Sequence, residues 1–117
     1  MSLSVTIETQ DACAIILLSG RMVGSEDLAA IMQQVEAKIN EGAFKLICDC
    51  SQLEYCNSTG LNFFVRLLTK SRNKGGDCVL VQLQPAVAKL FSLSKLNEIF
   101  TSYDSVEDAK SGFNTVI

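Results

Sequence analysis

The chain has 117 residues, 48% hydrophobic and 20% charged, with a formal net charge of -3, five cysteines and no histidine. Such a length suits one domain whose core is buried without disulfides or metal. Lys+Arg 10 against Asp+Glu 13 leaves no basic stripe for a nucleic-acid backbone, and the apolar residues are dispersed in runs shorter than the ~18 that a membrane helix needs.

No charged segment followed by an apolar one opens the sequence, which predicts no secretory leader. An odd cysteine count without C-x-x-C spacing predicts reduced thiols and a cytoplasmic location. Cys48 and Cys50 share a strand face, but with no histidine they read as small buried hydrophobes and not as metal ligands. Cys56 stands one residue before a polar helix entrance, which could lower its pKa.

In chain order, Val5-Thr6-Ile7-Glu8-Thr9 alternates apolar and polar as a strand with one wet face does. Gln10-Asp11-Ala12 supplies a turn into a more buried strand, Cys13 to Ser19, and the two read as a hairpin. A loop over Gly20 to Gly24 leads to Ser25, a good N-cap, with Glu26 and Asp27 in a first helical turn where anions are favoured. Leu28, Ile31, Met32, Val35 and Ile39 then share one helical face, and Gly42 stops the helix.

Phe44 to Cys50, apolar apart from Lys45 and Asp49, predicts a central strand covered on both faces. Ser51 to Cys56 reads as a connector. Asn57-Ser58-Thr59-Gly60 has the composition of a helix entrance, which places two hydroxyls at the positive end of a helix. Leu61, Phe64, Val65 and Leu68 form the buried stripe of that second helix. Phe63 and Leu67 lie to one side of it, as second-layer core or as an exposed docking patch.

Lys70, Arg72 and Lys74 close the helix, where cations complement its dipole, and Asn73 to Asp77 break it. Cys78 to Leu83 is another buried strand. Pro85 opens a short helix with Val87, Leu90 and Phe91 on one face. After a brief extended segment, Asp104-Ser105 caps a last helix from about Val106 to Phe113. Strands separated by helices after an opening hairpin predict a single α/β domain over residues 1–117, a mixed sheet of the hairpin and then parallel strands, with about four helices packed on it. In such sheets a site forms where a strand's carboxyl end meets the next helix, here at Asn57 to Gly60.

Asp49-x-Ser51 followed by Asn57-Ser58-Thr59-Gly60-Leu61 resembles the D-x-S…D-S-[ST]-G-[LIV] signature of STAS domains, most closely the bacterial anti-sigma factor antagonists. Gly20-Arg21, Gly75-Gly76-Asp77, the run Val87 to Phe100 and Ser105 to Ala109 are similar to that family as well, so the resemblance spans nearly the whole chain. It implies partner switching: the antagonist binds an anti-sigma factor that is also a serine kinase, and is released when a hydroxyl at the second helix entrance is phosphorylated. The acceptor position of the family maps to Thr59, with Ser58 beside it.

The expected contact surface is Asn57 to Leu61 together with Phe63 and Leu67, and Asp49 is expected to support the loop through hydrogen bonds to backbone N–H groups. Asn57 and Val23 replace carboxylates common in the family. That neutrality favours an alternative, a STAS subunit held permanently in a larger assembly such as a lipid-transport ATPase. No cofactor, nucleic acid or membrane insertion is implied. An enzyme using Ser58, Thr59 or Cys56 as nucleophile would need a base, and without histidine only Asp49, Glu54 or an unusual lysine is available.

Overall fold

The computed structural model of the chain describes residues 3–10 and 12–115. The elements are β1 (Ser4–Gln10), β2 (Cys13–Met22), α1 (Ser25–Asn40), β3 (Lys45–Cys56), α2 (Ser58–Asn73), β4 (Asp77–Val81), α3 (Pro85–Leu93), a single 3-10 turn (Leu96–Glu98), β5 (Ser102–Tyr103) and α4 (Val106–Thr115). The sheet order is β1-β2-β3-β4-β5, with β1 antiparallel to β2 and every later pair parallel. A hairpin followed by strand-helix-strand crossovers gives this order, because parallel neighbours need a long connection and the helices supply it. Asp11, part of the expected hairpin turn, lies outside the described residues.

The two sheet faces are covered unequally. On one, Ala14, Ile16, Leu18, Leu46, Cys48, Cys50 and Leu80 pack under the apolar stripes of α1, α2 and α3 in a continuous core. Phe63, Phe64, Phe91 and Phe100 cross it as successive edge-to-face pairs with centroids 5.4 to 5.9 Å apart, the arrangement that ring quadrupoles favour. On the other face Ile47, Val79 and Val81 meet Ala109 of α4, with Val106 and Phe113 at the edge.

Four local expectations are corrected. Residues 51–56 are not a connector, nor do Gly20 to Met22 belong to a loop: β3 continues to Cys56 and β2 beside it to Met22. Pairing with β2 shifts twice, between Leu17/Ser19 and between Gly20/Arg21, and at each shift β3 carries an extra residue. Such bulges break the period-2 alternation that marks a strand in sequence. The N-cap of α1 is Gly24 and not Ser25, and it makes no side-chain capping bond; the side chains of Ser25 and Glu26 lie outside those described. Finally, Phe63 is 2% exposed and Leu67 0%, so both are core, because α2 is flanked by helices as well as seated on the sheet.

Candidate switch site at the entrance of α2

Beyond Asp49, β3 pairs only with β2, since β4 ends where Val81 pairs with Asp49. The last turn of strand thus projects past the sheet, and the space left beside it is filled by the start of α3. Gln84 Nε2 donates to Ser51 O at 2.8 Å, satisfying a strand carbonyl that has no neighbouring strand. This geometry places the start of α2 at an open end of the fold, between β2 and α3.

Asn57 is the N-cap of α2, in extended conformation, and its Oδ1 accepts from Gly60 N at 3.1 Å. Its own N–H donates to Met22 O at 3.3 Å, which ties the entrance to the end of β2, and its carbonyl accepts from Leu61 N at 3.0 Å. With asparagine doing the capping, Ser58 and Thr59 occupy the first turn as exposed residues. Among the described residues neither hydroxyl has a hydrogen-bond partner. Their side chains are therefore available to another molecule, and first-turn N–H groups beside them favour negative charge.

Gly60 is fixed by packing. A Cβ there would stand 2.5 Å from Cys56 Sγ and 2.8 Å from Met22 Sδ, so only glycine lets the helix start this close to the ends of β2 and β3. Gly60 and Leu61, expected on the contact surface, are both buried. Cys56 is also buried, and its thiol donates to Asn57 O at 3.4 Å. The expectation of a lowered pKa is overturned: burial pushes the Cys56 thiol up to about 12, so it is neither a thiolate nor a nucleophile at neutral pH.

Asp49 is not brought to the entrance. It faces the α4 side of the sheet, in a cleft with Glu8, Ile15, Leu17, Glu107 and Lys110. Its Oδ1 accepts from Ser51 N at 3.0 Å, supplying an acceptor at the first bulge of β3, where ladder pairing is interrupted.

The site also has residues that the sequence did not single out. A groove of about 320 Å³ runs from the α2 entrance to α3, lined by Tyr55, Cys56, Asn57, Ser58, Ala86, Val87 and Leu90. Tyr55 is 41% exposed, and Val23, just past the end of β2, is 44% exposed. The Arg21 guanidinium lies over the Tyr55 ring, 4.5 Å from its centroid. Neither the groove nor this stack is visible in sequence, because β3 reaches Tyr55 only through its second bulge. Val87 and Leu90 carried the available signal, as apolar residues on the predicted face of the short helix.

The surface is thus a polar ridge, Asn57 to Thr59, beside a shallow apolar groove with an aromatic and an arginine on its rim. It offers no acid–base pair: among the described residues no carboxylate or lysine hydrogen-bonds either hydroxyl.

The STAS domain family model matches residues 4–109, and this chain belongs to that family. It is 27% identical over 115 residues, 98% of each chain, to BtrV of Bordetella bronchiseptica, a protein assigned as an anti-sigma factor antagonist. An anti-sigma F factor antagonist of Paenibacillus polymyxa is 24% identical over 116 residues, 99% of each chain. In fold the chain is similar to the Bacillus cell-fate determinant SpoIIAA, with a TM-score of 0.82 to its unphosphorylated form at 19% identity (97% of this chain, 99% of that one) and 0.73 to its phosphorylated form at 19% identity (92% and 97%). Among the described residues no helix is long and apolar enough to cross a membrane.

Proposed function

We propose that this protein is a cytoplasmic anti-sigma factor antagonist that works by partner switching and is not an enzyme. In this reading the unmodified chain binds an anti-sigma factor that is also a serine kinase, through Asn57, Ser58, Thr59 and the groove of Tyr55, Ala86 and Leu90. Phosphorylation at Thr59, or at its neighbour Ser58, ends the complex. The observation that carries the proposal is the division of labour at the α2 entrance: Asn57 supplies the cap, so both hydroxyls stand exposed and uncommitted.

A phosphate adds about -1.5 to -2 charges at neutral pH. On the first turn of α2 that charge is tolerated by the helix's own dipole. Against a partner surface shaped for a neutral hydroxyl it is unpaired, and expelling or repelling it costs several times RT. Release therefore needs no refolding of the antagonist.

The test is intact-mass spectrometry after incubation with ATP, magnesium and the anti-sigma kinases of the source organism, on wild type, Thr59→Ala and Ser58→Ala. One added phosphate, abolished by one of the two substitutions, is the expected result. Stable binding of those kinases with no phosphate gained would overturn the switch and support the permanent-subunit reading, which the neutral Val23 and Asn57 favour.

A further inference from the structure

Arg21 is the penultimate residue of β2 and sits directly opposite Tyr55 in the β2–β3 register, one position before the Met22–Cys56 pair. The carbonyl of Met22 receives the N–H of Asn57, so the end of β2 and the start of α2 are hydrogen-bonded neighbours. Tyr55, on whose ring the guanidinium rests, lines the same groove as Ser58. An exposed arginine is thereby held, by a ring and not by a charge, at the edge of the surface that carries the acceptor hydroxyls.

Arg21 takes part in none of the ion pairs among the described residues, which join Lys38 to Glu41, Lys70 to Glu36 and Arg72 to Asp77. Stacking uses the faces of a guanidinium and leaves its in-plane N–H groups free, the edges that match a phosphate. No acidic residue occupies the first turn of α2, and the neighbouring positions Val23 and Asn57 are neutral. Among the described residues no carboxylate is paired with the arginine.

We propose that Arg21 is the residue that receives the phosphate once Ser58 or Thr59 is phosphorylated, pairing with it within the chain; this rests on the phosphorylation proposed above. The ring holds the guanidinium near its target before modification, so little side-chain freedom is lost when the pair forms. Phosphorylation then changes two things at once: it adds the anion and it withdraws the cation of Arg21 from any partner. A lysine would supply charge but neither the stack nor the fork.

The test installs phosphoserine directly at position 58 or at position 59 of the full chain, by genetic encoding, and follows it by phosphorus NMR through its second ionisation, ordinarily near pH 6. The wild-type background is expected to titrate about half a unit or more below the Arg21→Gln background at one of the two positions, with Arg21→Lys between them, and the Arg21 Nε–H resonance is expected to move as the phosphate ionises. Identical titrations in wild type and Arg21→Gln at both positions, with the Arg21 resonance unmoved, would overturn the inference. Because no kinase is involved, this result is separate from the kinase experiment: failure there removes the switch, failure here removes only Arg21 from it.

Discussion

Helices α1 and α2 are each sixteen residues long and each follow the carboxyl end of a parallel strand, yet they begin in opposite ways. At α1 the N-cap is Gly24, with no side chain to accept a first-turn N–H. At α2 the cap is Asn57, whose side chain reaches Gly60 N, and the residue three places into the helix is pressed against two sulfur atoms. The first entrance thus has a cap without a side chain; the second is fixed at both ends of its first turn, and the two exposed hydroxyls lie between the fixed points. The bodies differ too: α1 buries one stripe, whereas α2 buries its flank as well, through Phe63 and Leu67.

The difference can be broken from either side. The largest effect is expected in the body of α2, where Leu67→Ala should cost about 2–5 kcal/mol in urea or thermal unfolding because it empties a fully buried site. A cost under about 0.5 kcal/mol would mean that Leu67 is a surface residue after all. Next, Gly60→Val should destabilise by about 1–3 kcal/mol through overpacking against Cys56 and Met22, and thermal unfolding followed by circular dichroism should show a midpoint several degrees lower.

Asn57→Ala should cost about 1 kcal/mol by removing the cap, while Ser58→Ala and Thr59→Ala, which lose no hydrogen bond, should stay within about 0.5 kcal/mol of wild type. Equal losses for all three would erase the division of labour on which the proposed switch stands. The smallest change is a gain. Gly24 has φ -103, open to any residue, and the nearest atom to a Cβ there is the Asp27 carboxylate at 3.8 Å, so the neutral cap of Gly24→Asn should stabilise by a few tenths of a kcal/mol.

A pH series tests the packing beneath the entrance. The Cys56 thiol is raised from the ordinary thiol value near 8.5 to about 12 by burial. Its ionised form is therefore disfavoured in the fold, and its contribution to stability is full below about pH 8.5 and lost as pH rises towards 12. Cys50, raised by burial, and Cys48, raised chiefly by its contact with Cys78, add to the same trend. Urea midpoints at pH 8 and pH 10.5 should converge in a Cys56→Ala variant relative to wild type. At pH 8 the half-buried Cys13 should alkylate long before the four buried thiols.

Much of this was legible in advance where one rule acted alone. Helical periodicity placed Leu28 to Ile39 on a single face, and period-2 alternation with a turn gave the β1–β2 hairpin. Ser105 Oγ accepting from Asp108 N at 3.1 Å is a cap of the kind its residue type predicts. The motif Asn57-Ser58-Thr59-Gly60 marked the helix entrance to the residue. Where two effects competed, the sequence was silent: the bulges of β3 hid a strand inside an irregular pattern, and a thiol beside a helix start was read by its dipole when its burial dominates.

By itself, then, the order of residues determined most of the elements, the mixed character of the sheet and the place of the hydroxyls, because propensity, capping and periodicity act over a few neighbouring positions. Tertiary structure decided the rest. Whether Phe63 and Leu67 face solvent depends on what packs beside α2; that Arg21 lies over Tyr55 depends on a strand register set by two extra residues; and the groove exists only because β3 outruns β4 and α3 closes on the gap. Each is a matter of which distant segments meet, and burial, reach and charge pairing are settled only there.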